Sequence, residues 1–172
     1  MVRLPSRVAL VGFMGSGKST VGPRVAACLG YRFVDADDEI SARAGASIAE
    51  IFRTRGEAGF RELEARTLTD LLRLPDCVLA TGGGAFAQPD SATALLEAAF
   101  TIHLHCDFRE IERRVGGLSH RPLVGKGETA LAALYAERKD KYALAHATVD
   151  ATHRSPEEVA GEVLRLLKAP SP

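Results

Sequence analysis

Short apolar runs alternate with amphipathic stretches along the chain. Arg7–Val11 is an aliphatic, β-branched run that stops at Gly12, as expected of a strand buried on both faces. Lys18–Leu29 carries helical periodicity up to Gly30, a glycine stop. Tyr31-Arg32-Phe33-Val34 predicts a second strand, closed by an acidic cluster. Ser47–Glu50 has capping-box spacing before a short helix that Gly56 stops, and Glu57–Leu72 spaces Phe60, Leu63, Leu68 and Leu71 or Leu72 as a longer amphipathic helix. Pro75 ends that helix, and Cys77–Ala80 predicts a strand running into Gly82-Gly83-Gly84. Pro89–Ala98 then reads as helix, Phe100–His105 as strand, and Asp107 can cap a helix reaching Val115. A Gly-containing segment, Gly116 to Gly127, precedes a helix over Thr129–His146 and a short strand Ala147–Asp150. Ser155-Pro156-Glu157-Glu158 opens the last helix with a cap residue, a first-turn proline and two first-turn carboxylates. This alternation predicts an α/β fold in three layers, a parallel sheet between helices, with ligands beyond the carboxyl ends of the strands.

The 172 residues carry no internal repeat, low-complexity segment or long charge block, so a single domain over 1–172 is expected. A hydrophobic fraction of 46% excludes disordered and fibrous classes. Lys plus Arg and Asp plus Glu both number 22, and that neutrality argues against a nucleic-acid coat or an anionic-membrane binder. No apolar run approaches the roughly 18 residues of a membrane helix. Cys28, Cys77 and Cys106 form neither a disulfide framework nor a zinc site, and read as small apolar core residues in a reducing compartment. The expected location is the cytoplasm.

Gly12-Phe13-Met14-Gly15-Ser16-Gly17-Lys18-Ser19 fits GxxxxGK[ST] directly after a strand and at the opening of a helix. Such a loop turns backbone N–H groups of Gly15, Ser16, Gly17, Lys18, Ser19 and Thr20 toward a phosphate at the positive end of a helix. Lys18 can reach the β- and γ-phosphates and the Ser19 hydroxyl can ligate Mg²⁺, so the loop predicts an ATP-type site. The chain has no Asn, which excludes the Asn-Lys-x-Asp base-reading motif of GTPases, and its length suits a small-molecule kinase. Asp35 and Asp37 close the second strand, where alternating positions can offer one carboxylate to a metal and the other to an acceptor. Asp38 and Glu39 read as an acidic helix start favoured by the macrodipole. His103 and His105 share one strand face, but no third metal ligand is visible, so packing is expected of them.

The motifs together resemble the shikimate kinases. Gly45-Ala46-Ser47-Ile48-Ala49-Glu50-Ile51-Phe52, Gly56-Glu57, Phe60-Arg61-Glu62-Leu63-Glu64, Phe33-Val34-Asp35-Ala36-Asp37, Gly82-Gly83-Gly84, Arg121-Pro122-Leu123, and Arg138 four residues before Tyr142 follow the family order from about Val8 to Pro156. The resemblance implies a P-loop kinase fold with a five-stranded parallel sheet, a helical substrate-binding region (36–64) and a mobile lid (116–127). It also implies a monomer that transfers the γ-phosphate of ATP, with Mg²⁺, to the 3-hydroxyl of shikimate in chorismate biosynthesis. By the same resemblance, Asp37 holds and activates the acceptor hydroxyl, Asp35 holds Mg²⁺ through water, and Lys18 and Arg121 act on the transferring phosphate. Arg61 and Arg138 take the shikimate carboxylate, Gly82, Gly83 and Gly84 approach its ring, and Arg114 and Arg154 flank the adenine. A carboxylate beside three hydroxyls calls for a cationic fork, which Arg supplies and Lys does not. Two departures stand out: Ser41, where relatives often have Glu, is expected to affect surface packing only, and His120 beside Arg121 could tune lid charge. A kinase of another small polyol acid such as gluconate, or a silent nucleotide-binding relative, is the alternative.

Overall fold

The computed structural model describes residues 4–115 and 128–169. Five strands lie among them: β1 (Arg7–Val11), β2 (Arg32–Asp35), β3 (Cys77–Ala80), β4 (Phe100–His105) and β5 (Ala147–Asp150). All pair in parallel in the order β2-β3-β1-β4-β5, so β1 is central and every strand ends on the same edge of the sheet. The period-2 geometry of a strand sends Val8 and Leu10 to one face and Ala9 and Val11 to the other. Both faces are buried, which is why β1 reads as a continuous apolar run.

Helices α1 (Lys18–Leu29) and α7 (Pro156–Lys168) cover the first face, placing Val21, Val25, Val159 and Val163 on Val8, Leu10 and Ile102. The second face receives Leu68 and Leu71 of α3 (Ile48–Leu71), Leu95 of α4 (Pro89–Ala98), Ile111 of α5 (Phe108–Val115) and Leu131 of α6 (Glu128–Tyr142). The three-layer α/β arrangement expected from the alternation is therefore present. Helix α2 (Ala36–Ala44) leaves β2 with no intervening loop: the Asp35 carboxylate accepts the Asp37 N–H at 3.0 Å and caps it. Gly56 interrupts α3 with φ 68° and ψ −177°, the break that the sequence placed there. The Ser155 capping box of α7 is formed in both directions, by Ser155 Oγ and by the Glu158 carboxylate.

Three expectations change. Helix α6 ends at Tyr142, four residues before His146. His146 instead turns its Nδ1 to accept the Thr101 N–H at 3.0 Å and stacks on Phe100, so the chain must leave the helix to enter β5. A 3₁₀ turn over Ala85–Ala87, absent from the sequence reading, follows the glycine run. Cys77 and Cys106 are buried as expected, whereas Cys28 is exposed, because α1 turns Val21, Val25 and Ala26 inward and leaves position 28 to solvent.

Candidate active site

Residues 12–17 join β1 to α1, and Gly17 at the helix start has φ 102°, a left-handed conformation that favours glycine. Lys18 is buried, with Nζ donating to the carbonyls of Gly12 (2.8 Å) and Phe13 (3.0 Å). Ser19 Oγ donates to Asp35 Oδ2 at 2.5 Å, bringing the two expected metal ligands together. Gly15, Ser16, Gly17, Lys18, Ser19, Thr20, Asp35 and Asp37 line a cavity of about 460 Å³. Arg114 and Arg154, the residues expected beside the adenine, also line it. Arg114 donates to the carbonyls of Gly15 (3.2 Å) and Ala151 (2.9 Å), and so straps the phosphate loop to the segment after β5. Arg154 is held by the Asp150 carbonyl (2.9 Å) and by Glu162 (2.5 Å).

Glu110, which the sequence reading passed over, organises this wall. Its buried carboxylate accepts from Arg113 (2.7 and 2.8 Å) and Arg114 (2.8 Å), with His153 Nδ1 3.4 Å away. The i, i+3 and i+4 spacing of Glu110, Arg113 and Arg114 on one helix was the available signal. Hydrogen bonds from Arg113, above all, hold the carboxyl down to about 2, below its ordinary 4.5. A carboxyl depressed in the folded state adds stability that is complete above 4.5 and lost as pH falls toward 2. Glu110→Gln should therefore flatten the acid limb of the melting temperature between pH 5 and about 2. Parallel wild-type and variant curves would refute this.

A second cavity, of about 430 Å³, adjoins the first and contains Asp37, Arg61, Gly82, Gly83, Gly84 and Arg138, all of the expected acceptor set. Asp37 and Gly83 line both cavities. Arg61 Nη1 donates to Glu64 Oε2 at 2.6 Å, and its guanidinium lies 5.3 Å from the Phe60 ring centroid. Arg138, 5% exposed, lies over Phe13 at 5.9 Å. Glu64, only 2% exposed, is a second residue the sequence reading left without a role, although it follows Arg61 by one helical turn. Burial, only partly offset by Arg61, raises its pKa. Arg61 Nε and Glu64 Oε1 are buried without a hydrogen-bond partner among the described residues, which leaves unmet polar capacity beside this cavity.

The glycine run has a reason that the sequence alone did not show. A Cβ on Gly82 would lie 2.8 Å from Glu64 Oε1 and 2.9 Å from Asp37 Oδ1, and one on Gly84 would lie 2.5 Å from Arg61 Nη2. The first requirement is thus space for the cavity's own charged side chains. Ser41 also lines this cavity, correcting the expectation that it touches surface packing only. His103 and His105 lie with ring centroids 5.8 Å apart, and no cluster of three His, Cys, Asp or Glu suited to a metal occurs among the described residues. Burial is the main cause lowering His103 to about 4, so it packs as a neutral ring. Arg121, His120 and the rest of the expected lid (116–127) lie outside the described residues.

A family model described as Shikimate kinase matches residues 14–168. A shikimate kinase of Geobacter sulfurreducens is 43% identical over 163 residues, covering 94% of this chain and 90% of its own. The solved shikimate kinase from Acinetobacter baumannii in complex with shikimate is 34% identical, with a TM-score of 0.89, covering 96% of this chain and 94% of its own. A gluconokinase from Sinorhizobium meliloti shares the fold at 18% identity and a TM-score of 0.62.

Proposed function

The chain belongs to the shikimate kinase family, whose members phosphorylate shikimate with ATP as co-substrate, and we propose that Asp37 is where the two substrates meet. The observation that carries this assignment is its position in both cavities. A hydroxyl oxygen beside Asp37 can donate its proton to the carboxylate as it attacks the γ-phosphorus, and the bond to the ADP oxygen breaks on the opposite side. Lys18 exchanges its carbonyl partners for phosphate oxygens, and the N–H groups of 15–20 hold the remaining charge. Arg61 and Arg138 take the shikimate carboxylate and so present the 3-hydroxyl, not another edge of the ring, to Asp37. Arg114 and Arg154 bound the base.

Mg²⁺ suits Ser19 and Asp35. A hydroxyl and a carboxylate are hard oxygen donors, and two of them suffice for an ion that keeps water and phosphate oxygens as its other ligands. Bound there, the ion supplies neutralisation of charge on the β- and γ-phosphates. Residues 36–64 serve as the acceptor-binding region of one kinase domain. No helix among the described residues is long and apolar enough to cross a membrane. Three unpaired cysteines fit a cytoplasmic location, and Leu144 as the one exposed large hydrophobic among the described residues fits a monomer.

The test is ADP release from Mg·ATP with shikimate, quinate, gluconate or AMP as acceptor. Turnover is expected to depend on shikimate. Its absence, or preference for gluconate, would overturn the reading.

A further inference from the structure

Tyr142 closes α6 one helical turn after Arg138, so the two side chains share a face. Its ring is buried and stacked between His103 of β4 (centroids 5.1 Å apart, planes at 21°) and Phe86 of the 3₁₀ turn (6.5 Å, 9°). Its hydroxyl donates to the carbonyl of Gly83, and the Arg138 cation one turn earlier lies close enough to oppose the effect of burial on the phenol. In the glycine run, the Gly82 carbonyl is taken by the Ala85 N–H (3.1 Å) and the Gly84 carbonyl by the Ala87 N–H (3.2 Å). Gly83 is held by Tyr142 alone among these carbonyl bonds, and a loop without side chains offers few other means of being held.

That bond therefore ties the end of α6, one turn from Arg138, to a loop of the acceptor cavity 59 residues away. We propose that Tyr142 is a positioning residue for acceptor recognition, whose hydroxyl holds the Gly83 turn against the helix turn that carries Arg138. This rests on the reading that the cavity takes shikimate. Burial pushes the phenol up to about 12, so the hydroxyl remains a donor across the working pH range. The ring fills space between β4 and the 3₁₀ turn, and a purely structural role would end with that packing.

Tyr142→Phe separates the two roles, because it keeps the stacked ring and removes only the oxygen. Its KM for shikimate, and the shikimate Kd measured by titration calorimetry without ATP, are expected to rise roughly 5- to 10-fold. The KM for ATP should stay within about two-fold, since the Arg114 wall is untouched. In the Tyr142→Phe, Arg138→Ala double variant, shikimate KM should rise by clearly less than the product of the single effects, because the Tyr142 bond fixes the Gly83 turn relative to the helix turn that carries Arg138. An unchanged shikimate Kd in Tyr142→Phe beside a raised one in Arg138→Ala overturns the positioning role alone. So does a product-like double variant, or a lowered melting temperature with both KM values moved equally. An unchanged Kd in Arg138→Ala removes the acceptor reading, and this inference with it.

Discussion

Asp37→Ala is expected to lower kcat by about 10²- to 10⁴-fold while ATP binding stays near wild type. The magnitude is that of a positioned base, and the asymmetry follows from location. Asp37 sits in the first turn of α2 with its N–H bonded to the Asp35 carboxylate, whereas the phosphates are assigned to residues 15–20. Alanine is a good helix former, so α2 and its Asp35 cap should survive the change. Asp37→Asn is the sterner comparison. It keeps size and position but cannot accept the hydroxyl proton, and should lose nearly as much kcat. Single-turnover rates with calorimetric ATP binding would measure both. Near-wild-type turnover in Asp37→Asn would end the assigned role.

Arg61→Ala should act on two quantities at once. Loss of a forked, charge-assisted contact is expected to raise shikimate KM by roughly 10²-fold, with a smaller effect on ATP. The substitution also strips Glu64 of its closest cation. A carboxylate 2% exposed and already raised in pKa by burial would then keep only the more distant Arg138 cation, at a cost on the order of 3 kcal/mol of folding stability. The two effects separate in the Arg61→Ala, Glu64→Gln double variant. Denaturant melts should recover much of the stability while KM stays high. A double variant as unstable as Arg61→Ala would show that Glu64 is not the source of the loss, and an unchanged KM in Arg61→Ala would move the carboxylate site elsewhere.

The parts of this molecule legible from sequence are those whose cause is local. The phosphate loop, the capping box at Ser155, the Gly56 break and the buried run of β1 each follow from a few adjacent residues. The end of α6 was not legible, because it is set by a hydrogen bond from Thr101, which is 45 positions from His146. Glu64 and Glu110 look like ordinary surface helix carboxylates in sequence. Only their burial, which tertiary packing decides, marks them as organisers of the Arg residues around the cavities. Ser41 was misjudged for the same reason: its helix face becomes visible only once α2 is laid beside α3. The expected acceptor residues were gathered into one cavity, yet the demand for Gly82 and Gly84 came from Glu64, Asp37 and Arg61 crowding the loop.

The junction of β2 and α2 has no spare residue. Asp35 ends the strand, receives the Ser19 hydroxyl and caps the helix, and Asp37 lies within the first turn of that helix. Each residue of an α-helix rotates its successor by roughly 100°, so inserting or deleting one position between them would swing the acceptor carboxylate about a quarter-turn away from the Gly82–Gly84 loop. Turns elsewhere on the sheet can lengthen by looping into solvent. Here chain length itself is the tolerance that the proposed function cannot give up, and with the roles proposed for Asp35 and Asp37 their separation of two acts as a ruler between metal and acceptor.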